Sequence, residues 1–235
     1  MIKLPNECLF EIFINLKGYN RNLFSCLLVN RQWCRNIIPI LWSGPVPFYN
    51  RKFIRTCLSG LNVEEQTQLI PFEVILSNNP ILLFDYTTYI TTIDISSDNG
   101  IIDWLNHEGY RSHGLISYKY VAQSIKYSLV AMFLRTCIKL KDLNVHNIGC
   151  NKIMNLLAEI LYKDTTLTSL SITSSNLDYE GEKIAVALCK NTTLTSLSLE
   201  NNQLGLKDGK ALAAALCKNT TLTSLYLYNN KLCSE

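Results

Sequence analysis

Residues that commonly carry catalysis or bind metal are few in this chain of 235 residues, and they lie far apart. The three histidines, His107, His113 and His146, do not have the spacing of metal ligands. The sequence has neither a glycine-rich phosphate-binding loop nor a serine or cysteine in a nucleophile motif. We therefore expect no catalytic residue, no metal site and no cofactor.

The nine cysteines are an odd number, are widely separated and lie mostly in apolar helical patterns. Cys189 and Cys217 recur at one position of a sequence repeat, which indicates packing. We expect reduced core thiols rather than disulfides. Asn191 and Asn219 begin Asn-Thr-Thr triplets that match glycosylation acceptors, and we attribute both to duplication of the repeat.

The composition favours an intracellular protein that binds neither nucleic acid nor membrane. The net charge is +3 at pH 7, and lysine and arginine are scattered rather than clustered. No apolar run is long enough to span a membrane, and Glu7 and Glu11 lie where a signal peptide would be uncharged. We expect the protein in the cytoplasm, the nucleus or both.

The segment LPNECLFEIFINL, residues 4–16, predicts a helix with more apolar surface than one buried face requires. Leu9, Ile12, Phe13 and Leu16 form the core stripe of a helical projection. Cys8, Phe10 and Ile14 widen the apolar arc to about 240°, against about 100° for a one-sided surface helix. Such a helix is either fully buried or presents a second face to a partner.

Two more helices are predicted over Asn20–Val29 and, after the capping residue Asn30, through Leu41. Pro39, Gly44, Pro45 and Pro47 are expected to end this run. Three helices in about 40 residues form a small unit, and domains of that size usually need a disulfide, a metal or a partner. A partner chain is the simplest explanation of the surplus apolar surface.

These residues resemble an F-box from about Lys3 to Trp42. The leucine-proline start, the Glu-Ile-Phe of the first helix and the spacing of Cys26, Val29 and Trp33 carry the resemblance, although Asn30 replaces a common cysteine. In that family the motif docks on the Skp adaptor of cullin-RING ubiquitin ligases. The resemblance assigns adaptor binding to Leu4, Pro5, Leu9, Ile12, Phe13, Val29, Trp33 and Trp42.

An internal repeat occupies the other end of the chain. LTSLSITSSNL at Leu167, LTSLSLENNQL at Leu194 and LTSLYLYNNKL at Leu222 align, and LKDLNVHNIGC at Leu140 is an earlier copy. The copies begin 27, 27 and 28 residues apart, and each is followed by an apolar helical pattern except the last. The period and core resemble leucine-rich repeats of the ribonuclease-inhibitor type.

Asparagine recurs just after the last two strand segments, at Asn202 and Asn230, where its amide can satisfy backbone groups as the chain turns. Ser175 and Ile148 replace it in the earlier copies. The leucines of each segment are expected to point inward and the residues between them outward.

The outward residues are predicted to form a target-binding face, with Tyr226 and Tyr228 as its best anchors. The alternative is that threonine and serine at these positions simply suit a solvated strand. The predicted target-binding residues are Asn144, His146, Ser171, Thr173, Ser198, Glu200, Tyr226 and Tyr228.

The segment between the two patterned regions is too apolar for a disordered linker. It predicts two helical pieces around Gly60, a strand near Tyr89 to Ile95, and helices over Ile101 to Leu105 and Tyr120 to Thr136. We interpret it as a packed bridge or a degenerate N-terminal cap of the repeats.

The expected fold is an N-terminal three-helix F-box followed by an α/β leucine-rich-repeat solenoid, with parallel strands on its concave face and helices on its convex face. The expected domains are 1–44, the F-box; 45–139, the bridge or degenerate repeats; and 140–235, the repeats, starting at 140, 167, 194 and 222, the last incomplete.

The expected function is substrate recognition in an SCF-type ubiquitin ligase. The partners would be a Skp-family adaptor, through it cullin, and an unknown target protein. The alternative is a leucine-rich-repeat interaction scaffold that belongs to no ligase.

Overall fold

The computed structural model describes residues 4–76, 84–110, 118–148, 151–163, 166–177 and 181–232, and the prediction for His113 lies outside them. The helices are α1 Asn6–Ile14, α2 Asn20–Leu27, α3 Arg31–Trp42, α4 Arg51–Leu58, α5 Val63–Thr67, α6 Asn99–His107, α7 Tyr118–Thr136, α8 Asn151–Tyr162, α9 Gly181–Leu188 and α10 Leu206–Leu216. The strands are β1 Thr92–Ile95, β2 Asp142–His146, β3 Ser169–Thr173, β4 Ser196–Ser198 and β5 Ser224–Tyr226. Short 3-10 helices span Ile70–Phe72 and Tyr86–Tyr89.

Helices α1, α2 and α3 enclose a small apolar core of their own. The rings of Phe13 and Trp33 meet edge to face, with centroids 5.0 Å apart. The Asn30 side chain accepts a hydrogen bond of 2.9 Å from the Trp33 backbone N–H, so it caps α3 as the sequence predicts. The buried residues of this core are Leu9, Phe13, Leu23, Ile37 and Ile40.

Helix α3 continues through Pro39 to Trp42, so the prediction that Pro39 helps to end the helical run is wrong. A proline inside a helix costs about 3 kcal/mol or more. Burial of a large apolar side chain contributes about 1.5 to 3 kcal/mol, and Ile37, Ile38 and Ile40 around the proline are all buried. Packing of these three side chains therefore outweighs the cost of the proline.

Trp42 joins the three-helix unit to the rest of the molecule. Its ring stacks on Tyr86 with centroids 4.7 Å apart and lies 5.5 Å from the ring of Phe53. Close by, the Thr91 hydroxyl donates a 3.0 Å hydrogen bond to the Ser43 carbonyl. The carboxyl end of α3 is thus packed against the larger apolar core.

The middle segment follows the sequence prediction in outline. Helices α4 and α5 lie on either side of Gly60, while α6 and α7 extend beyond their predicted limits. The strand begins at Thr92 rather than Tyr89, because Tyr86–Tyr89 forms a 3-10 turn. Since β1 pairs with β2, this segment contributes the first strand of the sheet in addition to bridging the two regions.

The five strands form one parallel sheet in the order β1-β2-β3-β4-β5. Register runs straight across the sheet, so Asn144, Ser171, Ser198 and Tyr226 share one row with Asp94. The leucines and other apolar residues between these positions are buried in β1 to β4, in the alternating pattern that the repeats predict. Helices α8, α9 and α10 follow β2, β3 and β4 in turn.

A ladder of side chains ties successive repeat segments together where the strands end. The Asn202 amide donates to the Ile172 carbonyl at 2.6 Å and accepts from the Ser175 N–H at 2.8 Å. Asn230 accepts from the Asn202 N–H at 3.0 Å. Each side chain therefore satisfies backbone groups of the preceding segment, the role that the sequence predicts for this asparagine.

Replacing Asn202 by alanine should lower the free energy of unfolding by about 3 kcal/mol, because two buried backbone groups each lose a partner worth about 1 to 3 kcal/mol. Asn202→Ser should lose less, since Ser175 at the same register accepts a 3.2 Å hydrogen bond from the Ile148 N–H. Urea unfolding of the three proteins measures the difference. Equal stability of the alanine variant and the unchanged protein would contradict this role.

A second set of asparagines closes the segments at their other end. Asn191 donates to the Leu161 carbonyl at 2.7 Å and accepts from the Leu194 N–H at 2.7 Å. Asn219 repeats both bonds one segment later, with Leu188 and Leu222. The Asn-Thr-Thr triplets are thus explained by backbone capping, since both asparagine side-chain amides are hydrogen-bonded to backbone groups of the protein.

A buried ion pair connects α7 to the amino end of α6. The side chain of Lys126 is fully buried, its ammonium group pairs with the Asp98 carboxylate, and it donates a 2.8 Å hydrogen bond to the His146 carbonyl at the end of β2. A buried charge is costly unless it is paired and hydrogen-bonded. These two partners therefore hold α6, α7 and β2 in fixed relation.

Candidate binding surfaces

The titratable groups of the described residues form no obvious reaction centre. No three His, Cys, Asp or Glu side chains there are grouped so that they could hold a metal ion. His107 lies 3.6 Å from Glu108 on the surface, and His146 shares a 3.0 Å hydrogen bond with Thr173. His107 and His146 therefore contact Glu108 and Thr173, and neither pair is the histidine-oriented nucleophile of a catalytic triad.

The thiols divide between core and surface. Burial raises the pKa of the Cys137 thiol to about 12, and burial followed by the nearby Cys137 raises the pKa of Cys57 well above its usual range. Cys8 and Cys217 are exposed, so the prediction of core positions is wrong for these two. Repetition of Cys189 at position 217 places the second thiol on the surface because no further helix of the described chain packs over α10.

The three-helix unit exposes many large apolar side chains. Leu28 and Val29 are 78% and 57% exposed, and Ile12 is 50% exposed. We call the following residues the exposed apolar set: Leu4, Phe10, Ile12, Ile14, Tyr19, Phe24, Leu28 and Val29. The wide apolar arc of α1 is therefore divided between the unit's own core and solvent, as expected of a helix that packs on one side and offers the other.

The structure separates the residues that the sequence analysis assigned to adaptor binding. Leu4, Pro5, Ile12 and Val29 are exposed. Trp33 is half-buried against Phe13.

Two of the assigned residues are buried away from any partner in this conformation, and a third is half-buried. Leu9 and Phe13 are 3% and 1% exposed because they pack against α2 and α3. Trp42 is turned toward Phe53 and Tyr86. For Leu9 and Phe13 the assignment is corrected, because they hold the unit's own core together. For Trp42 adaptor binding stays a prediction, and its ring also fixes the unit to the larger core. The helical projection predicts Ile12 in the core stripe of α1, and this prediction is wrong because Ile12 is half exposed.

The leucine-proline corner is held against α3 by side-chain amides. Gln32 donates to the Leu4 carbonyl at 3.2 Å and to the Asn6 side chain at 3.1 Å. Asn36 donates to the same Asn6 oxygen at 3.2 Å. These bonds place Leu4 and Pro5 at the surface in a defined position, which reduces the entropy that a partner must remove on binding.

Phe24 and Leu28 belong to the exposed apolar set although the sequence analysis did not select them as site residues. Phe24 and Leu28 are 60% and 78% exposed, while Leu23 on the same helix is buried in the core that α1 shares. The sequence carries a signal for this, because the eight-residue helix α2 with Leu23, Phe24 and Leu27, followed directly by Leu28, has more apolar residues than one face holds.

The second surface is the side of the sheet that none of the described helices covers, which we call the open face. It consists of the outward residues of β1 to β5 and those directly following the strands. Asn144 donates to Asp94 at 3.1 Å, and the Thr92 hydroxyl donates to Asp142 at 3.2 Å. The predicted target-binding residues all lie on it, half-buried except for Tyr226 and Tyr228, which are 50% and 59% exposed.

Tyr228 and Glu200 interact at the last edge of the open face. A hydrogen bond to Glu200, and then the charge of that carboxylate, raise the pKa of the Tyr228 phenol. The phenol therefore remains neutral and acts as a donor at ordinary pH. Together with Tyr226 on the same strand, it presents two aromatic rings beside one carboxylate.

An open groove of about 710 Å³ lies between α8 and α9 on the opposite side of the sheet. The Lys190 ammonium sits 4.4 Å from the Tyr162 ring centre and donates to its hydroxyl at 2.6 Å. Val186 is 59% exposed beside it. The groove is a feature of helix packing that the sequence did not indicate.

No helix among the described residues has both the length and the apolar character that crossing a bilayer requires. No curated protein matches the chain. Among solved structures, one described as "Leiomodin-1 Actin-Binding Site 2 (ABS2)" is 30% identical over 42% of this chain and 59% of its own, with a TM-score of 0.39. The match therefore spans less than two thirds of the leiomodin-1 chain.

The family model described as F-box-like matches residues 1–46. These residues include α1, α2 and α3, the amide-fixed Leu4-Pro5 corner and the exposed apolar set. F-box domains typically bind Skp-type adaptors, so the match suggests an adaptor-binding role. The chain thus carries an F-box-like domain at its amino-terminal end.

Proposed function

We propose that this protein is the substrate-recognition subunit of an SCF-type ubiquitin ligase. The exposed apolar set would dock on a Skp-family adaptor and through it on cullin, and the open face would bind the target protein. The observation that carries the proposal is the F-box-like match over a unit that leaves Leu4, Ile12 and Val29 exposed. Such a complex would operate in the cytoplasm or nucleus, where thiols such as Cys8 stay reduced.

We also propose that the sheet and its helices are leucine-rich repeats of the ribonuclease-inhibitor type. Three features support this: segments spaced by 27 or 28 residues, parallel strands that pair in chain order with a helix between successive strands, and the asparagine ladder at the strand ends. Repeats of this kind leave one side of the sheet open to a partner.

The chain would contribute no chemistry of its own to ubiquitin transfer. A receptor raises the rate by holding the target near the reactive centre of another subunit, which replaces a bimolecular encounter by a local one. The competing function is a scaffold that binds a partner through the open face alone. Capture of a purified Skp-family adaptor separates the two, because only the ligase subunit requires it.

Truncating Tyr226 and Tyr228 together to alanine should reduce capture of target candidates more than tenfold and leave adaptor capture unchanged. Exposed aromatic anchors at interfaces each contribute about 1 to 2 kcal/mol or more. Quantitative mass spectrometry of proteins retained by the full chain measures the effect. Tyr120→Ala is the matched control, since this tyrosine is 58% exposed on α7 and lies off the open face. An unchanged set of captured proteins would contradict target binding there.

A further inference from the structure

The open face is acidic although the chain as a whole is basic. The face is made by five described segments, 91–96, 141–147, 168–174, 195–201 and 223–229. These segments contain three carboxylates, Asp94, Asp142 and Glu200, and a single lysine or arginine residue, Lys141. The chain carries a net charge of +3. The acidity of this face is therefore a local feature and not a reflection of composition.

The helices on the other side of the sheet have the opposite balance. Segments 153–163, 181–190 and 206–218 contain six lysines against three carboxylates. One of those carboxylates, Asp208, is buried, where it caps α10 by accepting a 2.9 Å hydrogen bond from the Gly205 N–H. The two sides of the sheet thus present potentials of opposite sign to an approaching partner.

The carboxylates lie at two separate places on the open face. Asp94 and Asp142 lie on the adjacent strands β1 and β2, offset by two residues along the strand direction, while Glu200 follows β4 beside Tyr228. Strands are about 4.8 Å apart and residues rise about 3.3 Å, so three strand intervals and two residues along separate Asp94 from Glu200 by about 16 Å. An extended chain covers that distance in about five residues.

The surface between these places is neutral and can form hydrogen bonds. It consists of the hydroxyl and amide residues of β2, β3 and β4, of which Asn144, Ser171 and Ser198 form one continuous row. Hydroxyl groups donate and accept, so they suit the backbone of an extended segment. At the far edge, the exposed rings of Tyr226 and Tyr228 can stack on a guanidinium or ammonium group.

We propose that the open face binds an extended basic segment of the target, about six residues long, with two arginine or lysine residues four or five positions apart. One cation pairs with Asp94 and Asp142, and the other with Glu200 and the two tyrosines. This inference rests on the proposed target-binding function and specifies its substrate class. A phosphorylated segment is disfavoured, because its charge would face the same carboxylates.

Fluorescence anisotropy with the full chain and labelled six-residue probes tests the proposal at low ionic strength. The first probe carries arginine at its first and fifth positions with serine and glycine between them. The others carry two glutamines, two glutamates or two phosphoserines at the same positions. The arginine probe should bind about fivefold more tightly than the glutamine probe, because it forms two exposed ion pairs that the glutamine probe lacks. This preference for arginine should fall at high salt, where exposed charges are screened.

The double variant Asp94→Asn/Glu200→Gln should lose the preference for arginine. Its matched control is Glu159→Gln/Glu182→Gln, which removes two exposed carboxylates from α8 and α9 on the other side of the sheet. The control should keep the preference, because its carboxylates do not face the probe.

Three results would overturn the inference: equal binding of the arginine and glutamine probes, tighter binding of the phosphoserine probe, or no binding of any probe up to about 1 mM. Adaptor capture is measured on the same preparations. Loss of the arginine preference with adaptor capture intact rejects only the basic segment. Failure of adaptor capture rejects the ligase function while the arginine preference still reports on the open face.

Discussion

Replacing Ile12 by aspartate is expected to weaken binding of a purified Skp-family adaptor at least about a hundredfold, which corresponds to about 2.7 kcal/mol. Ile12 is 50% exposed in the last turn of α1, between Phe10 and Ile14 of the exposed apolar set. A carboxylate buried at an apolar interface without a partner costs several kcal/mol. Because Ile12 contributes little to the unit's own core, the variant should fold, and circular dichroism checks this. Calorimetry measures the affinity.

Val63→Asp is the matched control for Ile12→Asp. Val63 is 80% exposed on α5, outside the F-box-like residues 1–46. The same change of apolar to charged surface should there leave adaptor affinity within about twofold, since a surface substitution away from the interface is worth no more than about 0.5 kcal/mol. Adaptor affinity of a folded Ile12→Asp variant equal to that of the control would refute docking through this set.

Replacing Asp98 by alanine is expected to lower the free energy of unfolding by about 3 to 5 kcal/mol, the usual cost of removing one partner of a buried pair. The Lys126 ammonium is fully buried and would keep only the His146 carbonyl as a described partner. Urea unfolding followed by tryptophan fluorescence measures the loss, because Trp104 lies buried on α6 close to the pair in sequence.

The double variant Asp98→Ala/Lys126→Met provides the control for Asp98→Ala. Methionine keeps the length and apolar stem of lysine and removes the charge that alanine at position 98 leaves unpaired. Replacing a whole buried pair by apolar groups is often neutral or stabilising, so the double variant should recover most of the loss. A double variant less stable than Asp98→Ala alone would show that the lysine contributes mainly through its bond to the His146 carbonyl.

Local pattern was sufficient for the elements of this protein. A helix projects residues every 100° and a strand alternates them, so the apolar spacing of residues 4–16 and of the repeat segments predicts α1 and strands β2 to β5 without reference to contacts. The asparagine ladder was predicted for the same reason, because Asn202 and Asn230 recur at a fixed distance from their leucines. The place of a residue within a helical, strand or repeat period can therefore be predicted from its neighbours in the sequence.

The choice between core and surface within an apolar arc depended on packing. Leu9 and Ile12 are both large, apolar and on α1, yet one is 3% and the other 50% exposed. The position of α3 decides this, since its Ile37 and Ile40 cover one side of the arc only. The packing of Trp42 depends on tertiary structure for a similar reason: its partner Tyr86 is distant in the sequence, and no local signal links the two rings.

The sequence by itself therefore determined the helices of residues 4–42 and the strands of the repeat segments. It also indicated two candidate binding surfaces, one on the first three helices and one on the outward side of the strands. Tertiary structure alone decided which apolar residues remain exposed, that β1 joins the sheet, and that the fully buried Lys126 pairs with Asp98. A helix follows from hydrogen bonds and side-chain spacing within a few residues, and a strand is indicated by the alternation of its own side chains. Burial and pairing depend on groups brought together across long separations, where the free energy of a position is set by neighbours that its own segment does not specify.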